Sequence, residues 1–223
     1  MRWRPLLFAS LLLSVVYILT TASHFPGRFA VKAGSIVALS VFAWANGHRG
    51  LSAGLLLSSA GDALLDLGPG LFIAGLIAFL CAHLTYTATF LIERRRERQF
   101  SAGRIAAMAG VIAFTALFGG WLAPAAGALA LPVACYIVAI TAMVLSSLAG
   151  RFESNWVAIG AVLFLISDAI LATDKFRAPL PMRDYSVWCS YYAGQFLIAV
   201  GYCLSRRTIL STPSQFADRR AAG

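Results

Sequence analysis

The sequence consists mostly of apolar stretches that are each about as long as a membrane-spanning helix. A helix that crosses the hydrocarbon core of a bilayer needs about 20 mostly apolar residues. Eight such stretches lie at about 5–22, 29–45, 50–68, 70–92, 104–123, 127–150, 155–173 and 186–205. The hydrophobic share of the chain, 60%, also exceeds the roughly 45–50% of soluble domains. The sequence therefore predicts an all-α, polytopic membrane protein, a bundle of about eight transmembrane helices.

Proline placement supports these boundaries, because proline disrupts helix interiors and collects at helix ends. Only Pro132 falls inside a predicted helix, near its start, while the other seven prolines lie at or between helices. Residues 1–205 are predicted to form one transmembrane domain, and residues 206–223 a polar cytoplasmic tail. The first stretch also fits a cleaved signal peptide, since a basic start precedes a Leu-rich segment and small residues. A retained helix is the preferred interpretation.

The basic residues predict the orientation of the chain in the membrane. With a cytoplasmic N-terminus, 13 of the 18 Lys and Arg residues lie in cytoplasmic segments, four lie on the opposite side, and Lys32 is intramembrane. This bias predicts that both termini are cytoplasmic. The net charge of +9 comes from residues that flank apolar stretches, including the run from Glu93 to Arg98. We therefore expect contacts with anionic lipid headgroups and no nucleic-acid binding.

Two aspartates lie inside apolar stretches and are the first candidates for function. Asp62 and Asp168 each follow a run of apolar and small residues, and each has a leucine three positions later. An ionisable side chain within the membrane is energetically costly and is by default a functional hypothesis. At about 1.5 Å per helical residue, both lie roughly 7 Å from the outer ends of their helices. The two carboxyl groups are therefore predicted to share one layer.

Further polar residues are predicted to reach the same layer. Lys32 lies about 6 Å from the outer side, and Tyr191 and Gln195, one turn apart, lie about 6 to 12 Å from it. Asp66 lies nearer the surface on the same helix face as Asp62. Carboxylates, an ammonium, a phenol and an amide are thus expected to converge in the outer half of the membrane.

Several other chemistries are disfavoured by the same counting. His24 and His48 lie in loops on opposite sides, and His83 lies about 19 Å from the outer end of the fourth stretch, away from the predicted aspartate layer. The three histidines cannot share one zinc ion, so neither a metal nor a cofactor is predicted. No G-x-S-x-G motif is present, which disfavours a serine hydrolase. An intramembrane aspartyl protease would carry G-x-G-D and Y-D signatures, which the sequences around Asp62 and Asp168 do not match.

Four short motifs, together with Lys32, resemble those of the lysoplasmalogenase family, the YhhN-like membrane proteins and their animal relatives. Each motif alone is weak, but four in this order are fairly specific. The motifs are Gly61-Asp62-x-x-Leu65; Phe72, Gly75, Phe79, His83, Tyr86 and Phe90 in the fourth stretch; Gly160-Ala161-x-x-Phe164-x-x-Ser167-Asp168-x-x-Leu171; and Tyr191-Tyr192-Ala193-x-Gln195-x-Leu197-Ile198.

The resemblance implies hydrolysis of the vinyl-ether bond of alkenyl lysophospholipids, which gives a fatty aldehyde and glycerophosphoethanolamine or glycerophosphocholine. It also implies a bacterial inner-membrane protein whose partners are a lysophospholipid substrate and membrane lipids. Vinyl ethers open by protonation of carbon, and water then captures the oxocarbenium ion. Two neighbouring buried carboxyl groups can supply one acid and one base, as in glycosidases. We expect Asp62 and Asp168 to fill these roles in either order.

Supporting roles are expected for the other motif residues. Lys32 would neutralise an aspartate or hold the substrate phosphate, and Tyr191 and Gln195 would orient water. Substrate-binding or supporting positions are also expected at Asp66, His83, Tyr86 and Ser167.

Two other interpretations of the aspartates remain open from the sequence. They could form a buried structural pair, for example through an ion pair with Lys32. They could also serve a proton-coupled transporter or a lipid-binding membrane sensor, since intramembrane carboxylates are used in proton relays. The similar settings of Asp62 and Asp168 hint at a parallel repeat of four helices, which a transporter would show.

Overall fold

The computed structural model describes residues 3–21, 27–92, 100–150 and 152–211, and for 206–211 the backbone only. Within these ranges the chain is helical and contains no strand, which confirms the predicted all-α class. The eight α-helices of these ranges are α1 (Arg4–Leu19), α2 (Arg28–Ala45), α3 (Arg49–Leu67), α4 (Phe72–Ile92), α5 (Ala102–Ala126), α6 (Ala130–Ala149), α7 (Trp156–Phe176) and α8 (Arg183–Ser211). Short 3-10 turns at Pro69–Leu71 and Gly127–Leu129 lead into α4 and α6.

Five helical segments in the described ranges are long and apolar enough to cross a membrane. They are Arg28–Ala45, Pro69–Ile92, Ala102–Ala149, Trp156–Phe176 and Arg183–Ser205. The third is 48 residues long and contains both α5 and α6. Large apolar side chains also face outward: Leu117, Leu131 and Val138 are 70% exposed or more. Such a surface suits lipid better than water, so the chain is an integral membrane protein.

The helices extend beyond several of the predicted boundaries. α7 continues to Phe176, three residues past its predicted end, and α5 continues to Ala126 with Pro124 inside its last turn. α8 runs to Ser211, into the segment predicted as a polar tail. Polar residues at the end of an apolar stretch still gain from intrahelical hydrogen bonds, so hydropathy alone places helix ends too early. The predicted basic run at 93–98, His24 and the tail from residue 212 lie outside the described residues.

Six helices form a closed ring around the buried centre. In order around the ring, α2, α3, α4, α6, α7 and α8 each pack against the next, and α8 packs back against α2. α1 packs against α2 and α8, and α5 packs against α6 and α7. This ring directs the predicted polar residues of α2, α3, α7 and α8 toward a common interior.

Glycines bring neighbouring helices into close contact at two places in the ring. Gly54 and Gly61 on α3 lie directly against the rings of Tyr86 and Phe79 on α4. At Gly160, on α7, an added Cβ would lie 2.6 Å from the carbonyl oxygen of Gly194 on α8. Small residues allow this kind of backbone approach between membrane helices, and it sets the spacing of the helices that carry Asp168 and Tyr191.

We expect Gly160→Ala to destabilise the protein by about 1–3 kcal/mol, because the new methyl group overpacks the contact between α7 and α8. The measurement is thermal unfolding in detergent. Gly110→Ala is the matched control, since nothing lies within 4 Å of a Cβ at that position of α5. Equal unfolding temperatures for the two variants would contradict the close contact.

Candidate active site

A polar cavity of about 120 Å³ lies among α2, α3, α7 and α8, with Phe79 of α4 in its wall. It brings together six residues that the sequence singled out: Lys32, Asp62, Asp66, Ser167, Asp168 and Tyr191. Arg183 and Asp184 also line it. The lining therefore holds four carboxyl groups and two cationic groups, a mixture that suits a polar ligand better than an apolar one.

Asp62 is held by donors on both of its carboxyl oxygens. The Tyr191 hydroxyl donates to Oδ2 at 2.6 Å, and the Lys32 ammonium lies 3.4 Å from Oδ1. Lys32 also donates to Asp66, at 2.9 Å, and lies about 6 Å from the centres of the Tyr17 and Trp188 rings. A side chain this deep in the bundle keeps its negative charge only with such partners, and the ammonium provides the countercharge.

Asp168 has a different set of partners, and within the described ranges they contact only one of its oxygens. The Tyr136 hydroxyl donates to Oδ2 at 2.6 Å, and Nε2 of His83 lies 3.4 Å from the same atom. His83 Nε2 is also 2.9 Å from the Tyr136 hydroxyl, while Nδ1 faces the Met143 sulfur at 3.4 Å. The single proton of the Tyr136 hydroxyl goes to Asp168, so that hydroxyl accepts from His83, and Nε2 carries a proton.

The prediction that His83 lies on a different level from the aspartates is wrong. α4 begins at Phe72 and α7 ends at Phe176, so both ends differ from the predicted ones. At about 1.5 Å per residue, His83 then lies about 16 Å from the N-terminal end of α4 and Asp168 about 12 Å from the C-terminal end of α7. The remaining difference in depth is small enough for the two side chains to meet.

Tyr136 is the site residue that the sequence did not reveal. It links His83 to Asp168, and its side chain also lines the apolar cavity next to the polar one. A signal was present, because Tyr136 is the one tyrosine in the apolar helix α6, and a buried tyrosine hydroxyl normally needs a hydrogen-bond partner. Phe164 packs against both His83 and Tyr191, and so lies between the partners of the two aspartates.

The apolar cavity has a volume of about 60 Å³ and adjoins the polar one. It lies among α3, α4, α5, α6 and α7, and its wall is formed largely by leucine, isoleucine and phenylalanine side chains. Four residues line both cavities: Leu65, Phe79, Asp168 and Leu171. Asp168 is therefore the carboxyl group at the junction between a polar and an apolar compartment, an arrangement suited to an amphiphile.

The remaining predicted site residues lie deeper than the polar cavity. Gln195 and Tyr86 are fully buried, and the Tyr86 hydroxyl donates to Oε1 of Gln195 at 2.8 Å. Neither residue lines the two cavities described above. Within the described parts of the chain, no group of three His, Cys, Asp or Glu side chains could hold a metal ion.

The comparisons with known proteins identify the family. The YhhN family model matches residues 27–202. The chain belongs to the YhhN family. This range contains both aspartates, their partners and both cavities, and it confirms the resemblance predicted from the four motifs.

Proteins similar to this YhhN-family chain include bacterial and animal lysoplasmalogenases. The lysoplasmalogenase of Mycobacterium tuberculosis (strain CDC 1551 / Oshkosh) is 33% identical over 216 residues, which cover 92% of this chain and 82% of that protein. Human lysoplasmalogenase TMEM86B is 32% identical over 179 residues, 76% of this chain and 73% of that protein. Bovine lysoplasmalogenase TMEM86A is 28% identical over 165 residues, 70% of this chain and 66% of that protein. No solved structure matches the chain.

The Tyr136 hydroxyl offers a direct test of the Asp168 network. We expect Tyr136→Phe to lower kcat for the hydrolysis proposed below by about tenfold to a hundredfold, because a hydrogen bond to a charged group is lost. The measurement is steady-state kinetics of the purified protein. Tyr185→Phe is the control, since Tyr185 lines neither cavity. Unchanged kcat in Tyr136→Phe would contradict a role for this hydroxyl.

Proposed function

We propose that this chain is a lysoplasmalogenase that hydrolyses the vinyl-ether bond of alkenyl lysophospholipids. The products are a fatty aldehyde and glycerophosphoethanolamine or glycerophosphocholine. The observation that carries the proposal is the position of Asp168, where the polar and apolar cavities meet. A single-chain lipid has its vinyl-ether bond at the corresponding point, between its polar headgroup and its hydrocarbon chain. The names of the similar proteins support the same activity.

The alkenyl chain would lie in the apolar cavity, along Phe72, Phe118 and Ile140. The glycerophosphate part would lie in the polar cavity, where Arg183 and Lys32 can interact with phosphate. Lys175, which lines the apolar cavity near the ring of Phe72, would add a third positive charge beside the two cavities.

Asp168 is the proposed general acid. Its Oδ2 accepts from Tyr136, whereas no hydrogen bond to Oδ1 is formed within the described residues, so a proton on Oδ1 can be directed at the substrate. That proton goes to the vinyl carbon remote from oxygen, and the other vinyl carbon becomes an oxocarbenium ion. The carboxylate left behind keeps the hydrogen bond from Tyr136.

Asp62 is the proposed general base. Lys32 and Tyr191 stabilise it as a carboxylate, and a carboxylate can stabilise the oxocarbenium ion and take a proton from the attacking water. The resulting hemiacetal breaks down to the aldehyde and the glycerol hydroxyl. One water is consumed, and the proton gained by Asp62 balances the proton lost by Asp168.

The proposed topology places this chemistry at the outer side of the bacterial inner membrane. All eight helices would cross, with both termini cytoplasmic, as the distribution of basic residues predicts. The polar cavity is lined from the start of α2, the end of α3, the end of α7 and the start of α8. In this topology those four helix ends lie on the same, outer side.

The test is aldehyde release from an alkenyl lysophospholipid by the purified protein in detergent. The saturated alkyl lysophospholipid with the same headgroup is the control substrate, because it has no double bond to protonate. We expect aldehyde from the alkenyl lipid alone. Detergent micelles carry no ion gradient. Aldehyde formation in detergent would therefore show that the protein is an enzyme and not only a transporter or a sensor. Absence of aldehyde with folded protein would overturn the proposal.

A further inference from the structure

An apolar groove of about 210 Å³ lies between α5 and α6, and we call it the α5–α6 groove. At its lipid-facing edge Ala116, Ala134 and Val138 are exposed, and at its inner wall Thr115 and Val133 are buried. Six of its lining residues are small: Ala116, Gly119, Gly120, Ala123, Ala130 and Ala134. The groove therefore leads from the surface of the bundle toward its interior.

The inner wall of the α5–α6 groove is also a wall of the apolar cavity beside Asp168. Thr115, Val133 and Ile137 line both spaces. Among the described residues that line the groove, Thr115 has the one polar side chain, and its hydroxyl donates to the Val111 carbonyl at 2.9 Å within α5. The boundary between the two spaces therefore has an apolar character that suits a hydrocarbon chain.

Ile137 contributes the end of its side chain to this boundary. A Cβ added at Gly119 of α5 would lie 3.4 Å from Cδ1 of Ile137, so the Ile137 side chain extends from α6 to the surface of α5. Rotation about its second side-chain torsion moves Cδ1 among staggered positions. At this point the separation of groove and cavity depends on a terminal methyl group and not on backbone.

The apolar cavity alone is too small for the whole hydrocarbon chain of a membrane lipid. Its volume is about 60 Å³, and a water-sized group needs about 10–15 Å³, so it holds about four to six such groups. A chain that reaches halfway through the ~30 Å hydrocarbon core is about 15 Å long. A lipid whose vinyl-ether bond lies at Asp168 must therefore extend beyond the cavity, and the α5–α6 groove provides adjacent apolar space.

Another groove in the described part of the chain does not continue the cavity. It lies beside Arg104 and Asn155, near the starts of α5 and α7, and its volume is about 510 Å³. It shares no lining residue with the apolar cavity. Of the two grooves, the smaller one is thus the extension of the space next to Asp168.

We propose that the α5–α6 groove holds the distal part of the hydrocarbon chain of a single-chain lipid and is the entrance of that lipid from the bilayer. The first carbons of the chain lie in the apolar cavity, and the rest passes Thr115, Val133 and Ile137 into the groove. The lipid reaches Asp168 sideways, with its chain in an apolar environment throughout. The identity of the lipid rests on the proposed function, and the groove adds the route and the position of its chain.

The first experiment is photo-labelling of the purified full chain in lipid nanodiscs. The probe is an alkyl lysophosphoethanolamine, which has no vinyl-ether bond, with a diazirine at the end of its chain. We expect label on residues 115–123 of α5 and 130–138 of α6, and its loss when excess unlabelled alkyl lysophosphoethanolamine is added. The label should also be lost in Ala116→Trp, because the indole fills the groove.

The matched control is Ala113→Trp. Ala113 is also an exposed alanine of α5, but it lines none of the cavities and grooves described above. The label should remain in this variant. Label that persists in a folded Ala116→Trp variant would overturn the groove as the position of the chain.

The second experiment compares chain lengths in aldehyde release. Ala116→Trp should lower kcat/KM for a long-chain alkenyl lysophospholipid by about tenfold more than for an analogue whose chain fits within the apolar cavity. Ala113→Trp should keep the wild-type ratio between the two substrates. An equal decrease for both chain lengths in Ala116→Trp would contradict a role for the groove.

The labelling of the wild-type protein decides the proposal even if a variant fails to fold. Competed label at the groove beside Arg104, or on other helices, with none on α5 and α6 would overturn the proposed route even if aldehyde is formed. Competed label on α5 and α6 without aldehyde release would support the groove and overturn the proposed function. Labelling needs no turnover, so the two failures are distinguishable.

Discussion

Asp168→Asn is expected to lower kcat for aldehyde release by about a hundredfold to ten-thousandfold, the usual contribution of a general acid. Asparagine has nearly the same shape as aspartate, and its oxygen can still accept the hydrogen bond from Tyr136. It cannot donate a proton to carbon. The fold should therefore persist while the chemical step fails, and the measurement is single-turnover kinetics beside thermal unfolding.

Two companion variants separate acid catalysis from a structural role. Asp168→Glu keeps an acidic proton and should retain more activity than Asp168→Asn. Glu153→Gln removes an exposed carboxyl group near the opposite end of α7 and should leave kcat unchanged. An active Asp168→Asn variant would assign the acid role to another group.

The sequence predicted much of the site because intramembrane charges are few. Asp62 and Asp168 were identified by burial in apolar stretches, and counting about 1.5 Å per residue brought Lys32 and Tyr191 to their level. In the structure these four residues line one cavity. Counting residues from a helix end works when the predicted end is correct to within about one turn. That accuracy is sufficient for residues that lie close to the same end of the bundle.

Partners that reach across the bundle were harder to predict. His83 was placed by depth from one helix end, and an error of a few residues at both α4 and α7 separated it from Asp168. Tyr136 is uncharged, and a tyrosine in an apolar helix looks in the sequence like an ordinary core residue. The apolar cavity depends on how α5, α6 and α7 pack together, and no single helix pattern contains that information.

The ion pair at Asp62 has the same geometry whether it serves catalysis or stability, so the two roles need variants that separate them. Lys32 has two carboxylate partners, Asp62 at 3.4 Å and Asp66 at 2.9 Å. Removing the negative charge of Asp62 leaves Lys32 paired with Asp66. Removing Lys32 leaves Asp62, whose side chain is 4% exposed, with a hydroxyl donor but no countercharge.

Lys32→Met is therefore expected to destabilise the protein by about 3–5 kcal/mol, the cost of leaving one partner of a buried ion pair without the other. Asp62→Asn should cost much less, yet it should reduce aldehyde release by about a hundredfold or more because the proposed base is lost. The double variant Lys32→Met/Asp62→Asn should recover most of the stability that Lys32→Met loses. It should remain inactive. The measurements are thermal unfolding and aldehyde release for the three variants.

The double variant gives the decisive comparison, because it removes both charges while keeping side chains of similar size. If the aspartate served only to compensate Lys32, removing both would restore the fold and the activity together. An active double variant would therefore assign Asp62 a structural role and leave Asp168 as the sole reacting carboxyl group. A stable Asp62→Asn variant that keeps Lys32 paired with Asp66 and is still inactive requires a function of the Asp62 carboxylate beyond its ion pair, as expected for the group that activates water.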